Sequence, residues 1–295
     1  MIDPLTSLAF SVHTGKGVYA LLLGSGISRA AHIPTGWEVT VDLIRKVAAV
    51  EGQSCGPDPV AWYFKTYGKE ADYSVLLEAL ASTPSERTNL LRGYFEPTDA
   101  EREAGDKAPT LAHKAIAKLV AKGFFRVIIT TNFDRLMEQA LEAEGVNPTV
   151  ISTADMVKGA TPLAHTDCTL VKVHGDYRDT RLRNTTAELS SYDKGMDKLL
   201  DQIFDEYGLI VCGWSGTWDT ALRAAILRSR NRRYSFTWAA YGKPTDEALE
   251  LITFRQGVQV EIESADAFFG TLAEKLDSLE RFNAHHPLST AMAVA

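Results

Sequence analysis

The stretch RVIITTNFDRLMEQAL, residues 126–141, changes character halfway along its length. Its first part is apolar and β-branched, which is typical of a strand buried on both faces, and its second part has helical spacing. Between them stand Thr131, Asn132 and Asp134, at the point where the strand should pass into the helix. Because ligands of open α/β sheets bind at the carboxyl ends of the strands, the stretch bears on both fold and function.

The same order, an apolar run, a glycine or small polar turn and then a helical segment, recurs along the chain. The runs are VYALLLG, FRVIITTN, TLVKVHG, LIVCGWSG, SFTWAAYG and VQVEIES. Helical patterns lie between most of them, over residues 37–51, 110–122, 133–144, 195–206, 217–230, 244–254 and 265–282. This alternation predicts an α/β fold with a doubly wound, mostly parallel, Rossmann-like sheet.

Residues 53–109 interrupt this alternation, because they contain short amphipathic helical patterns and no strand pattern. We therefore predict a main domain built from residues 1–52 and 110–282, with a helical insertion over residues 53–109. Residues 283–295 have no periodicity and are predicted to form a tail.

Composition limits the classes of function. The 295 residues carry a net charge of −7, which argues against general nucleic-acid binding. The three cysteines, Cys55, Cys168 and Cys212, are far apart and form no C-x-x-C pair, so neither a zinc ribbon nor a disulfide framework is predicted. With no leader-like N-terminus and no apolar run of transmembrane length, a cytoplasmic location and no membrane contact are expected.

Two polar turns follow the first two predicted strands. GSGISRA, residues 24–30, is half of a dinucleotide-binding fingerprint, since Arg29 stands where the third glycine belongs. It predicts either a phosphate-binding loop or a purely structural turn. In TTNFD, Asn132 and Asp134 are typical of a helix N-cap, although the same residues could face a ligand.

Two further turns follow later strands. His174 ends the run TLVKVH and precedes a glycine, which suits either a general base or a structural histidine. GWSGTWD places Ser215 between two glycines, but Thr217 replaces the last glycine of a nucleophile elbow. A serine hydrolase is disfavoured for this reason, and because His285 and His286, its only downstream histidines, lie in the unpatterned tail.

Taken in order, GSGIS, TTNFD, HG and GWS resemble the sirtuin motifs G-A-G-x-S, T-Q-N-I-D, H-G and G-T-S, over about Val18 to Glu263. The chain departs from sirtuin deacylases in two places. It lacks their four zinc cysteines, and Thr35, Gly36 and Trp37 replace their D-F-R segment. In these departures it is similar to the zinc-free sirtuin-like domains of bacterial anti-phage systems associated with short Argonautes or Thoeris.

The resemblance implies an enzyme that cleaves NAD+ to ADP-ribose and nicotinamide, an abortive-infection effector with NAD+ as substrate and no metal. Two other functions stay open, an NAD-dependent protein deacylase and a module that senses NAD+ or an ADP-ribose derivative without turnover. Since a toxic hydrolase needs restraint, the resemblance also implies a regulatory protein partner or self-assembly. A short Argonaute or another sensor is a candidate partner, and direct nucleic-acid binding is not expected.

The resemblance also assigns roles to residues. Asn132 holds the water or the ribose, His174 contacts a ribose hydroxyl as base, and Asp134 supports the pocket, beside Thr131 in place of the sirtuin glutamine. Asp219 either contacts a ribose hydroxyl or caps the following helix, and we favour the cap. The other expected binding residues are Gly24, Ser25, Gly26, Ile27, Ser28 and Arg29 at the pyrophosphate, and Gly213, Trp214 and Ser215 at the adenosine half. Arg29 could equally form a surface ion pair.

Overall fold

The computed structural model of the protein describes residues 2–179, 181, 183 and 188–284. The predicted tail, including His285 and His286, lies outside these residues from position 285 onward. Residues 283 and 284 belong to the end of the last helix instead.

The described residues form one seven-stranded sheet in the order β3-β4-β2-β1-β5-β6-β7, and every strand pair is parallel. The strands are β1 Tyr19–Leu23, β2 Phe125–Thr130, β3 Thr149–Ile151, β4 Thr169–Lys172, β5 Gly208–Cys212, β6 Phe236–Ala240 and β7 Val258–Glu261. The sheet confirms the predicted doubly wound, Rossmann-like α/β fold.

Helices cover both faces of the sheet. Within the described chain they are α1 Pro4–Thr14, α2 Gly36–Val50, α3 Pro59–Tyr67, α4 Tyr73–Leu80, α5 Pro84–Phe95, α6 Asp99–Ala104, α7 Leu111–Ala121, α8 Leu136–Ala143, α9 Ala154–Gly159, α10 Lys194–Glu206, α11 Thr220–Arg228, α12 Asp246–Arg255 and α13 Ala265–Ala284. The core on one face includes residues of α1, α7, α8 and α13, and the core on the other includes residues of α10, α11 and α12.

Strand β1 shows why the sheet is buried on both faces. Its side chains alternate, so that Leu21 and Leu23 enter one core while Ala20 and Leu22 enter the other. All four are at most 1% exposed, and each buried leucine contributes roughly 1.5–3 kcal/mol to folding. The continuous apolar run that signals this strand in the sequence is the direct result.

Helices α3 to α6 lie between β1 and β2, and the described part of residues 53–109 contains no strand. A small core of Val39, Leu43, Leu77 and Leu91 joins α2, α4 and α5, and Phe133 of the loop after β2 packs against it. This stretch therefore contacts a site loop directly. The domain boundaries at residues 52 and 110 stay a prediction.

Strand order reverses at the centre of the sheet. Strand β2 pairs with one side of β1, whereas β5, reached after β4, pairs with the other. The carboxyl ends of β1, β2, β4 and β5 therefore surround a crevice of the kind that binds ligands in open α/β sheets. None of the described helices is both long and apolar enough to span a bilayer.

Candidate functional site

A cavity of about 860 Å³ lies at the carboxyl ends of the strands. Its volume falls in the range of roughly 300–1,000 Å³ that is usual for small-molecule sites. The structure brings the predicted site residues together around it, with the exception of Gly24, which does not line the cavity. Those that line it are Ser25, Gly26, Ile27, Ser28, Arg29, Thr131, Asn132, Asp134, His174, Gly213, Trp214, Ser215 and Asp219.

The glycines of this wall lock two loops together. A Cβ atom on Gly24 would overlap the carbonyl oxygen of Gly213, and one on Gly26 would lie 2.8 Å from Gly213 Cα. Gly213 itself has φ +73° and would place a Cβ 2.7 Å from the backbone nitrogen of Ile27. These residues are glycine because backbone meets backbone there.

Hydrogen bonds hold the same contact. The Gly24 amide donates to the carbonyl of Cys212 at 3.0 Å, and the Gly26 amide donates to the carbonyl of Gly213 at 2.9 Å. These amides are therefore already paired, which supports the structural-turn interpretation of the first glycine motif. A 3₁₀ helix, Ser25–Ala31, follows rather than an α-helix, and phosphate binding by this loop stays a prediction.

The Asn132 chain is a set of hydrogen bonds through Asn132, Ser28 and Asp134. Asn132 Nδ2 donates to Ser28 Oγ at 3.1 Å, and Ser28 Oγ donates to Asp134 Oδ2 at 2.8 Å. Asp134 Oδ1 accepts from the Leu136 amide at 3.0 Å, although the N-cap residue of α8 is Arg135, whose side chain makes no capping bond. Asn132 Oδ1 is buried and has no hydrogen-bond partner among the described residues.

The His174 chain runs through Thr131, His174, Asp219 and Trp214. His174 Nδ1 lies 3.1 Å from the carbonyl oxygen of Thr131, and Nε2 lies 2.5 Å from Asp219 Oδ1. Trp214 Nε1 donates to Asp219 Oδ2 at 2.5 Å. All of the side chains in this chain except Thr131 are buried.

The favoured capping role of Asp219 is wrong. Its side chain makes no capping hydrogen bond to α11, because His174 and Trp214 occupy its two oxygens. Burial by itself would raise the pKa of Asp219, but the charge of His174 and the hydrogen bonds from His174 and Trp214 outweigh burial. The pKa of Asp219 is therefore lowered, and the carboxylate form is favoured.

A buried lysine contacts the Asn132 chain at Asp134, and sequence reasoning missed it. Lys172 is fully buried at the end of β4, and its Nζ donates to the Asp134 carbonyl at 2.7 Å. The same Nζ contacts Glu138 Oε1 at 2.9 Å and Asp176 Oδ2 at 3.0 Å. Burial raises the pKa of Glu138, although the charge of Lys172 opposes it. The available signal was a lone lysine inside the apolar run TLVKVH.

Other charged and aromatic residues stand at the edge of the cavity. Arg29 pairs with Glu38 at 3.4 Å, and both side chains are largely exposed, which supports the surface ion pair rather than a ligand contact. Trp37, Trp218 and Tyr241 line the mouth and are more than half exposed. In the described ranges, no three His, Cys, Asp or Glu side chains come together as a metal site would require.

The chain was compared with known protein families and structures. The SIR2-like domain family matches residues 126–257. A structure from a study of the mechanism and regulation of Sir2 enzymes superposes with a TM-score of 0.50 at 14% identity, covering 95% of this chain and 100% of that chain. The fold is sirtuin-like. No curated protein sequence matches the chain.

Two other Sir2 structures align over most of the chain. A Sir2 homologue in complex with NAD is 15% identical, with a TM-score of 0.48 and coverage of 92% of this chain and 94% of that one. Sir2 bound to acetylated peptide is 14% identical, with a TM-score of 0.48 and coverage of 92% and 98%. The SIR2-like match begins at Arg126 and contains the loops with Asn132, His174 and Asp219, but not the first glycine loop.

Proposed function

We propose that the chain is an NAD+ glycohydrolase that produces ADP-ribose and nicotinamide. The observation that carries the proposal is an asymmetry in the site. Asn132 Oδ1 is buried with no hydrogen-bond partner among the described residues, whereas His174 Nδ1 faces the Thr131 carbonyl and Nε2 lies 2.5 Å from Asp219 Oδ1, an ion-pair contact without hydrogen-bond geometry. The sirtuin-like fold and the volume of the cavity support NAD+ as the ligand.

The chemistry needs little more than positioning. Cleavage of the nicotinamide–ribose bond passes through an oxocarbenium-like state, as glycosidic cleavage generally does. Nicotinamide leaves as a neutral molecule from a cationic glycoside, so no strong acid is required. A water held on the ribose face, and fixed dipoles around the developing charge, supply the remaining stabilisation.

Asn132 suits the task of holding that water or the ribose. Its Nδ2 is fixed by Ser28, so its Oδ1 has a defined direction and can accept a hydrogen bond from water or from a ribose hydroxyl. An unpaired buried acceptor costs about 1–3 kcal/mol, and a ligand that pairs with it removes that cost. Asp134 supports this arrangement through Ser28.

The same asymmetry disfavours a deacylase. In the sirtuin-like mechanism, His174 would act as a base toward a ribose hydroxyl, which requires a free ring nitrogen. Nδ1 faces the Thr131 carbonyl and Nε2 lies 2.5 Å from the Asp219 carboxylate, so a ribose hydroxyl would have to displace Asp219 to reach Nε2. The chain also has only three cysteines, too few for a four-cysteine zinc site.

We extend the proposal to the biological role that the resemblance suggests, an abortive-infection effector of bacterial anti-phage defence that acts in the cytoplasm. A regulatory partner, such as a short Argonaute or another sensor, or self-assembly, would restrain it. Induction of the chain in bacteria should lower cellular NAD+, and the Asn132→Ala variant should not. Unchanged NAD+ after infection of cells that carry the full system would contradict this role.

The enzyme itself is tested by incubating the purified chain with NAD+ without peptide and identifying products by NMR. We expect nicotinamide and ADP-ribose, and a loss of about 100- to 1,000-fold in Asn132→Ala, as for removal of one transition-state hydrogen bond. His174→Ala should also lose turnover, whereas the exposed Asn147→Ala should not.

Two outcomes would replace the proposal. NAD+ consumption only when an acetyl-lysine peptide is added would indicate a deacylase. Tight NAD+ binding without any product, with and without candidate partners, would indicate a sensing module.

A further inference from the structure

The His174 chain links the ends of three strands through one buried set of contacts. Thr131 follows β2, His174 follows β4 and Trp214 follows β5, while Asp219 directly precedes α11. Asp219 joins them, because its two oxygens meet His174 Nε2 and Trp214 Nε1. Within the described part of the chain, His174 Nε2 and Asp219 Oδ1 have no hydrogen-bond partner, so their 2.5 Å contact is an ion pair that lacks hydrogen-bond geometry.

The contacts determine where the protons lie. A carbonyl oxygen only accepts, so the 3.1 Å contact with Thr131 requires a proton on His174 Nδ1. The 2.5 Å contact between Nε2 and a carboxylate oxygen is attractive only with a proton between those two atoms. His174 is then a double donor, and its positive charge is balanced by Asp219.

The surroundings support an ionised pair. Against the effect of burial, the positive charge of Arg223 acts on Asp219 and helps to lower its pKa. Burial raises the pKa of Tyr192, whose hydroxyl has no hydrogen-bond partner among the described residues, and this tyrosine is close enough for the charge of Asp219 to raise its pKa further. Burial in such a place is tolerated because opposite charges are adjacent and hydrogen-bonded. Asp219 Oδ2 accepts from Trp214 and Oδ1 lies against His174, while the ribose-binding role expected for Asp219 stays a prediction.

We infer that Asp219 is a positioning residue, which holds His174 as a double donor and thereby fixes the Thr131 carbonyl next to Asn132. This inference deepens the proposed function, on which its kinetic part rests. In it, His174 does not remove a proton from the substrate. It orders the loop that presents Asn132, and the pair contributes no net charge to the site.

The variant that separates these roles is Asp219→Asn. Its amide oxygen can still accept from Trp214 Nε1, while its NH₂ group faces His174 Nε2 and requires that nitrogen to become an acceptor. The change keeps the size of the side chain but converts His174 to the neutral form with hydrogen on Nδ1 only. Asp155→Asn is the matched control, because Asp155 is 80% exposed and pairs only with Lys158.

The experiment combines NMR of the imidazole nitrogens with kinetics on the same samples. His174 signals are assigned by their loss in His174→Gln. We expect two protonated nitrogens in the wild type and in Asp155→Asn, and an unprotonated Nε2 in Asp219→Asn at the same pH. With NAD+, kcat should fall about 5- to 10-fold in Asp219→Asn while KM changes less than about 3-fold, because the neutral imidazole still donates to the Thr131 carbonyl but is a weaker donor than the charged one.

Each outcome decides a different statement. If His174 shows one protonated nitrogen in the wild type, or identical signals in the wild type and Asp219→Asn, the inference is overturned. If Asp219→Asn instead raises KM and leaves kcat unchanged, Asp219 is a substrate-binding residue, and the inference is also overturned. If the wild type does not cleave NAD+, the proposed function fails, and the NMR signals alone still decide the state of the pair.

Discussion

The Asn132 chain and the His174 chain lie side by side at the strand ends, and they differ in how they end. The Asn132 chain stops at Oδ1, a buried acceptor with no protein partner. The His174 chain has a protein group at each end, since the Thr131 carbonyl faces His174 Nδ1 and the Trp214 indole donates to Asp219, with an ion-pair contact between His174 and Asp219. The comparison indicates that the first chain presents a group to the ligand and that the second holds the loops in place.

The largest effect is expected from Lys172, whose Nζ holds the Asp134 carbonyl and two buried carboxylates. Lys172→Met would remove the buried cation that Glu138 and Asp176 share. The longer contacts with Arg135, at 4.0 Å and 3.5 Å, would remain. Loss of one partner of a buried ion pair costs about 3–5 kcal/mol of unfolding free energy, which urea denaturation will measure. Lys107→Met is the control, because Lys107 is also buried and paired but lies away from both chains.

If the two lysine variants had the same NAD+ turnover at the same fraction folded, Lys172 would have no specific role at the site. We expect only Lys172→Met to lower NAD+ turnover. The Nζ of Lys172 holds the Asp134 carbonyl, and Lys172 itself stands two residues before His174 in the sequence.

The second prediction concerns the glycine contact that joins the wall to β5. Gly213 and Gly242 have nearly the same backbone, with φ of +73° and +71°, but a Cβ meets Ile27 at Gly213 and open space at Gly242. Gly242→Ala should cost roughly 1 kcal/mol for backbone strain. Gly213→Ala should cost about 1–3 kcal/mol more because of the overlap, measured as unfolding free energy. Equal losses would show that the loops do not pack as tightly as described.

A third prediction sharpens the role of the Asn132 chain. Ser28→Ala removes the hydroxyl between Asn132 and Asp134, and should cost about 1–3 kcal/mol because two buried groups lose their partner. Ser229→Ala is the matched control, since Ser229 is buried and its hydroxyl donates to the Phe204 carbonyl at 2.9 Å. Both should lower the melting temperature, but only Ser28→Ala should reduce kcat for NAD+. Equal turnover in the two would separate Ser28 from the site.

The smallest effect is the pH dependence of the His174 chain. The pKa of Asp219 is lowered from its usual 3.8, so the ionised form stabilises the fold above that value. This stability is lost as the pH falls through the lowered pKa, because the folded state must then be protonated. Asp219→Asn lacks this contribution. The difference in unfolding free energy between wild type and Asp219→Asn should therefore shrink as the pH falls below 3.8.

Much of the fold could be predicted from the sequence, because burial on both faces leaves continuous apolar runs. Six strands follow from such runs, whereas β3 has only three residues and two of them are half-buried, so it gives no run. Helix α1 has a readable start, with Asp3 as N-cap and Pro4 after it, but no strand precedes it to draw attention to it.

The site was predictable only as a location. Strand ends converge at the switch point, so the residue types in the four turns indicate where a ligand binds. Their partners depend on three-dimensional packing. His174 and Asp219 are separated by 45 positions, and Asp219 at the start of a helix fits a cap as well as an ion pair. Lys172 lies in a predicted strand, but its role could not be predicted, because the partners of its ammonium group, such as Asp134 and Glu138, come from other parts of the chain.

The most direct test of the difference between the two chains is a crystal structure with a non-hydrolysable carbocyclic NAD+ analogue. The account predicts that Asn132 Oδ1 accepts a hydrogen bond from the ribose or from a water on its reacting face. It also predicts that His174 Nε2 remains against Asp219. A structure in which His174 leaves Asp219 to bond a ribose hydroxyl, with Asn132 turned away from the ligand, would contradict it.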